Sequence, residues 1–279
     1  MANVLVWATG LAGIALATSW AWRWRALPVV AERPAPDGRG QAALEGLRTV
    51  ALSLWAGLAA GFLVPGLGGR LLMRITAATS PAEAQGRLTD AQEVVGEITL
   101  GGTIGFLFFI GLFGGALYGL AHPFVRALLP RRAGPAGVVV AVVLLGTVGV
   151  SDPMSPDNSD FALLTPVWLA VALIVLVTGV FGVAYMGLAA RLEQAVPRLS
   201  RRTSTWLAHL PLLLALIPPI GAPIGAVTVV VTAGRALLHA RSSPWEWPRA
   251  RPAVTALVAA AVAVTTMRSL MAAVQILGA

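Results

Sequence analysis

The chain consists largely of apolar runs, close to the length of a membrane span, that carry almost no charge. The stretch from Ile98 to Ala121, for example, holds no Asp, Glu, Lys or Arg. Of the 279 residues 57% are hydrophobic and 11% charged, whereas a soluble domain is charged at roughly 25% of its positions. The runs are uninterrupted rather than alternating, which favours helices over a β-barrel. We therefore expect an all-α polytopic transmembrane helical bundle of seven or eight spans, forming a single transmembrane domain over residues 1–279.

Eight segments approach the roughly 20 residues that a transmembrane helix needs. They are Val4–Trp22, Leu47–Val64, Ile98–Ala121, Ala136–Val150, Leu163–Ala189, Thr205–Pro219, Gly221–Leu238 and Ala253–Leu277. The sixth and seventh are separated only by a run that contains Pro218, Pro219 and Pro223, and proline ends or kinks a helix. Two spans, one kinked span and a re-entrant hairpin all remain open for residues 205–238.

Charged residues alternate in sign from one connection to the next. Arginines follow the first, third and fifth segments, in groups that include Arg33, Arg131 and Arg202, whereas the connections after the second and fourth carry acids. Because arginine marks the cytoplasmic side, we expect a multipass protein of the plasma (inner) membrane. Residues 23–46 would form a cytoplasmic connector, and residues 75–97 and 151–161 two outward-facing acidic loops. A further basic group begins at Arg235 and is cytoplasmic only if the chain crosses the membrane an even number of times between Arg202 and Arg235. This favours a hairpin, and hence eight spans with both termini outside.

Several chemistries are excluded by residues that the chain lacks. It has no Cys, all 20 of its basic residues are Arg, and its three His are far apart in sequence. Thiol catalysis, disulfides, thiolate metal sites and lysine Schiff bases are therefore ruled out, and we expect no cofactor. The net charge of +8 is explained by arginines that flank spans, so we expect contact with membrane lipid and not with nucleic acid.

Glycines recur at four-residue spacing in the apolar segments. The pairs are Gly57 with Gly61, Gly101 with Gly105, Gly111 with Gly115, Gly115 with Gly119, and Gly221 with Gly225. Small residues at this spacing allow helix backbones to approach closely in lipid. We expect tight helix packing at all five pairs.

The first candidate site lies between the second and third segments. Thr89 and Gln92 have the spacing of a capping box, which predicts that the third helix begins there. On such a helix Asp90, Glu93 and Glu97 share one face, which continues inward through Gly101, Ile104, Phe108, Gly115 and Tyr118. Arg70 and Arg74 leave the second segment on the same side of the membrane. They would pair with Glu93 and Glu97, or else bind an anionic group or line a proton path.

The second candidate is the loop Ser151–Phe161. Its carboxylates Asp152, Asp157 and Asp160, with an adjacent amide, are oxygen ligands of the kind that Ca²⁺ or Mg²⁺ prefers, although their spacing matches no EF-hand. Alternatively, Asp160 is the N-cap of the fifth helix and the other two are solvated.

Three sequence patterns resemble those of a bacterial multipass membrane protein family, common in actinobacteria, that has no assigned activity. They are Gly-Gly-Arg-x-x-Met-Arg at Gly68–Arg74, Gly-Glu-Ile-Thr at Gly96–Thr99 and Asp-Asn-x-Asp-Phe at Asp157–Phe161. The resemblance covers about Gly57 to Leu192. It implies a multipass membrane fold, and it draws attention to Arg70, Arg74, Glu97, Asp157 and Asp160.

Three functions fit this sequence. One is a small permease or carrier with an outward-facing acidic and arginine site for a small cation or proton, in which Arg70, Arg74, Glu93 and Asp160 contact the substrate. Another is a membrane-embedded enzyme in which Glu97 or Asp157, as a carboxylic acid, initiates cyclisation of a lipid or isoprenoid. The third is an accessory protein whose loops dock a partner membrane subunit.

Overall fold

The computed structural model describes residues 38–97, 99–196, 207–218, 220–237 and 251–278, and in these ranges the protein is helical. Six helices make up most of it: α1 (Arg39–Thr79), α2 (Leu100–Leu128), α3 (Ala133–Gly149), α4 (Val167–Ala195), α5 (Gly221–Leu237) and α6 (Arg251–Gly278). The described residues contain no strand, only an isolated bridge between Leu88 and Val94. The all-α prediction is confirmed for this part of the chain.

Four helices are long and apolar enough to cross a membrane, namely α1, α2, α4 and residues Thr255–Gly278 of α6, whereas α3 and α5 are shorter apolar helices. Many large apolar side chains point away from the protein, including Leu100, Ile104, Phe109, Val148, Trp168 and Val229. Exposed apolar surface of this extent is typical of a protein in contact with lipid. The first predicted span, Val4–Trp22, lies outside the described residues.

The predicted boundaries shift in two places. Helix α1 begins at Arg39, inside the predicted connector 23–46, and continues to Thr79, inside the predicted loop 75–97. Residues 207–218, the described part of the sixth predicted segment, contain a 3-10 helix, Leu210–Leu216, which at about 2 Å per residue is too short to cross the bilayer by itself.

Helices α1 and α2 meet backbone to backbone along a row of glycines. A Cβ atom added at Gly57 would collide with the carbonyl oxygen of Gly115, and one at Gly61 with that of Gly111. One turn further, a Cβ at Gly119 would lie 2.6 Å from the carbonyl oxygen of Ser53. The prediction of tight packing is confirmed at these positions, because only glycine permits this approach.

The other glycine pairs behave differently. A Cβ at Gly101, Gly105 or Gly225 would meet no atom of the described residues within 4 Å. Gly221 does make a close approach, but to the carbonyl oxygen of Ala215 in the 3-10 helix that precedes α5. Four-residue spacing alone therefore does not identify a helix contact.

Three of the helices contain π-helical segments, at Phe62–Gly68, Leu107–Phe113 and Leu145–Gly149. The first encloses Pro65, which has no N–H to donate within a helix. The first two segments lie at the contact between α1 and α2, where Gly66 approaches Gly111. Since a π turn holds more residues than an α turn, each segment rotates the side chains that follow it relative to those before it.

A buried arginine joins the start of α1 to the end of α4. Arg48 is 3% exposed. Its Nη2 donates to the carbonyl oxygens of Glu193 and Val196 at 2.6 Å, and its Nε donates to Val196 at 3.1 Å. Its Nη1 lies 3.6 Å from the Glu45 carboxylate. A cation here satisfies carbonyls that the end of α4 leaves open and complements the helix dipole.

The glycine contact predicts that Gly57→Ala will destabilise the protein by about 1–3 kcal/mol, because the methyl group has no space between the two backbones. The matched control is Gly105→Ala, in α2, where the added methyl meets no described atom. Thermal unfolding in detergent would measure both variants. Equal unfolding temperatures for the two variants would contradict the close approach.

Candidate functional site: the paired acidic loops

The first acidic loop is a compact hairpin and not the start of a helix. The Gly86 amide donates to the Val95 carbonyl at 3.0 Å, and the Thr89 amide to the Glu93 carbonyl at 2.9 Å. At the tip Gln92 has a φ of 59°. The prediction that the third helix begins at Thr89 is wrong, because the Thr89 side chain bonds to Glu93 within this hairpin.

Helix α2 instead begins at Leu100, with Thr99 as its N-cap. The Thr99 hydroxyl accepts a hydrogen bond from the Gly102 amide at 3.1 Å. A Cβ at Gly102 would lie 2.5 Å from both carboxylate oxygens of Glu93, so this carboxylate sits against the first turn of α2. Negative charge is stabilising there, because the helix dipole is positive at its N-terminus.

The tip of the hairpin is bound to the second acidic loop. The Asp90 amide donates to Oδ1 of Asp160 at 2.8 Å, and the Ser159 hydroxyl donates to Oδ1 of Asp90 at 2.7 Å. The Asp160 amide in turn donates to Oδ1 of Asn158 at 2.8 Å. The two acidic loops thus form one structure, which we call the acidic surface (residues 81–97 and 151–160).

Asp160 starts a single helical turn, Asp160–Leu163, and α4 begins later, at Val167 with Pro166 as its N-cap. The prediction that Asp160 caps the fifth predicted span is therefore wrong. The Asp160 carboxylate instead accepts a hydrogen bond from the Asp90 amide of the other loop. Beneath it, Met154 is 1% exposed and packs with Val171 and Ile276, which anchors the second loop on α4 and α6.

The two arginines contact polar groups other than the expected acids. Nη2 of Arg70 donates to the Thr103 hydroxyl at 2.9 Å, and its guanidinium lies 5.8 Å from the centre of the Phe106 ring. Nη1 of Arg74 lies 3.4 Å from the Gly96 carbonyl oxygen. In the described residues neither arginine is ion-paired with Glu93 or Glu97, because these acids precede α2 rather than extending its face. Arg70 nevertheless holds α1 to the first turns of α2, and Arg74 holds α1 to the end of the first acidic loop.

The remaining candidate acids face outward from this surface. Glu97, Asp152 and Asp157 are exposed. Among the residues that the structure describes, no three His, Cys, Asp or Glu side chains are grouped to hold a metal ion. The structure thus does not assemble Asp152, Asp157 and Asp160 into the expected cation site.

The surroundings of Asp160 change the pKa of its carboxyl group. Partial burial raises the pKa of its carboxyl, and the nearby charges of Asp90 and Asp152 raise it further. The hydrogen bond from the Asp90 amide opposes this effect by stabilising the carboxylate. Asp160 therefore binds a proton more readily than an ordinary aspartate.

The structure also reveals a buried polar cluster, which we call the aromatic cluster (Tyr118, His122, Phe181 and Tyr185). The rings of Tyr118 and His122 on α2 lie 4.4 and 5.0 Å from that of Tyr185 on α4, measured between ring centres. The hydroxyl of Tyr185 donates to the Ser53 carbonyl of α1 at 3.4 Å. The sequence did place Tyr118 on an inward face, but His122 gave no signal because no second histidine lies near it in sequence.

Comparison of the chain with protein-family models, with curated proteins and with solved structures finds no match.

The raised pKa of Asp160 predicts a pH-dependent difference from Asp160→Asn, which keeps an acceptor oxygen for Asp90 but carries no charge. A raised pKa favours folding most when the carboxyl is protonated, and this contribution is lost as the pH rises through the pKa. The wild type should therefore lose stability relative to Asp160→Asn as the pH rises from below the pKa of an ordinary aspartate to above the raised pKa of Asp160. Unfolding temperatures measured across pH would test this.

The control is Asp157→Asn, which changes an exposed carboxyl on the same loop that accepts no hydrogen bond from the described residues. It should follow the wild type at every pH. A wild type that gains stability over Asp160→Asn with rising pH would contradict the environment described for Asp160.

Proposed function

We propose that the protein is a small permease or carrier of the bacterial plasma membrane, with the acidic surface facing outward to collect a small cation or proton. The observation that carries this proposal is the docking of Asp90 on Ser159 and Asp160. It combines two loops, far apart in sequence, into one acidic surface at one end of the helices.

The charge distribution supports this orientation. The two acidic loops hold seven of the twelve acids of the chain, namely Glu83, Asp90, Glu93, Glu97, Asp152, Asp157 and Asp160. The opposite ends of α2, α3 and α4 carry Arg126, Arg132 and Arg191. Arginine-rich ends belong in the cytoplasm, and a surface with an excess of carboxylates raises the local concentration of cations.

The chain around α5 supports a re-entrant hairpin rather than two spans. Ile220, at the turn between the 3-10 helix and α5, packs against the same buried cluster as Leu58, near the middle of α1. At the other end of α5, the Cα atom of Thr232 would lie 2.8 Å from a Cβ added at Gly46, near the beginning of α1. The turn therefore lies deep in the bundle, while the end of α5 points towards the arginine-rich end. In this arrangement α1 to α4 and α6 cross the membrane and the hairpin enters from the cytoplasm. Broken helices of this kind line cavities in transporters.

The interior is also more polar than the sequence predicts. The aromatic cluster places a histidine and two tyrosines among helices α1, α2 and α4. Polar and ionisable side chains inside a membrane protein are uncommon and mark substrate or proton pathways. A carrier needs such groups between its two sides.

The enzyme alternative is less well supported. Acid-initiated cyclisation of a lipid or isoprenoid needs a protonated carboxyl in an apolar site, whereas Glu97 and Asp157 are exposed to solvent. The accessory alternative needs only exposed polar loops, and it differs from a carrier in predicting no flux from the purified protein.

A flux assay in proteoliposomes tests the proposal. Purified protein should carry protons or one of Na⁺, K⁺ and Mg²⁺ across the vesicle membrane under an imposed gradient, at a rate above protein-free vesicles. The double variant Asp152→Asn, Asp157→Asn should lower this rate several-fold at subsaturating ion, because it removes two charges from the acidic surface. The control is Asp37→Asn, which the sequence places in the cytoplasmic connector and which lies outside the described residues.

The absence of flux for all four cations would overturn the carrier proposal. Conversion of an added isoprenoid would support the enzyme alternative. Loss of a co-purifying membrane subunit from the double variant, again without flux, would support an accessory role.

A further inference from the structure

The aromatic cluster contains polar atoms that the described residues leave without hydrogen-bond partners. His122 is 1% exposed, and neither of its ring nitrogens has a partner among the described residues. The hydroxyl oxygen of Tyr118, on the same helix, is likewise inaccessible and unpartnered there. By contrast, the hydroxyl of Tyr185 reaches the Ser53 carbonyl.

Unpartnered atoms of this kind are uncommon in native proteins. More than about 90% of buried polar groups have a hydrogen-bond partner, either in the protein or in bound water. The surroundings are apolar, since Phe181, Ala184 and Ala56 lie in the same buried cluster as Tyr185. In such a medium an unmade hydrogen bond is more costly than in water. Three such atoms in adjacent side chains therefore call for a partner other than the described residues.

We propose that Tyr118 and His122 bind a small uncharged molecule that both donates and accepts hydrogen bonds. His122 is buried in the protein interior, where an uncompensated charge is costly, which favours the neutral imidazole. A neutral imidazole offers one N–H donor and one bare nitrogen acceptor, and the Tyr118 hydroxyl can serve in either role. Water is the smallest molecule with this chemistry, and a small alcohol or amide shares it.

Because His122 is 1% exposed, a molecule bound to it would be enclosed by the protein rather than open to either side of the membrane. Its site lies in the half of α2 that leads to Arg126, away from the acidic surface. The inference stands on these orphaned atoms alone and does not require the proposed cation flux, so either can fail without the other.

The two tyrosines of the chain allow a matched test. Tyr118→Phe removes one oxygen without changing the packing of the ring, and Tyr185→Phe removes a hydroxyl whose partner is known. If the Tyr118 hydroxyl has a bound partner, both variants should lower the unfolding temperature to a similar extent, about 2–4 °C for a protein of this size. A Tyr118→Phe variant as stable as the wild type, or more stable, would overturn the proposal.

Nuclear magnetic resonance of the protein in lipid provides a second test, which reports the hydrogen bonds of the wild-type side chains directly. With ¹⁵N-histidine labelling the spectrum holds signals from only three side chains, and His122→Phe identifies those of His122. The proposal predicts that both ring nitrogens are hydrogen-bonded. Magnetisation transfer from water would identify water as the occupant, whereas a retained compound detected by mass spectrometry would identify a solute. Ring nitrogens without a hydrogen bond would overturn the proposal.

Discussion

The close approach of α1 and α2 is the constraint on which the rest of the structure depends. Gly57, Gly61, Gly111 and Gly115 leave no room for a side chain between the two backbones. This contact fixes the separation of the end of α1 and the start of α2, and hence of the two ends of the first acidic loop. It also brings Ser53 of α1 to the level of the aromatic cluster, where Tyr185 can reach its carbonyl.

Helix composition and the charges at helix ends could be predicted from the sequence, but helix register could not. The face that was expected to run from Asp90 to Tyr118 is buried at Gly115 yet exposed at Ile104 and Phe108. The π-helical segment Leu107–Phe113 explains the difference, because a constant period of 3.6 residues does not continue through a π turn. Gly101 and Gly105 lie before this segment, so they do not continue the row formed by Gly111 and Gly115.

The sequence predicted which residues belong to the candidate site, but it did not predict which of them contact one another. Composition indicated two acidic loops on one side, and the structure joins them. The partners of Arg70 and Arg74 depend on where α2 begins, which Thr99 decides rather than Thr89. The result is a molecule with most of its described carboxylates at one end, most of its described arginines at the other and a histidine with two tyrosines between them. This polarity along the helices is the physical basis of the proposed carrier.

The central claim is that the acidic surface faces the outside of the cell and the arginine-rich ends face the cytoplasm. Because the chain has no cysteine, a single introduced cysteine reports its own side without interference. In intact cells a membrane-impermeant thiol reagent should label Asp157→Cys and should label Arg132→Cys only after the membrane is opened. Labelling of Arg132→Cys in intact cells, with Asp157→Cys protected, would contradict the account.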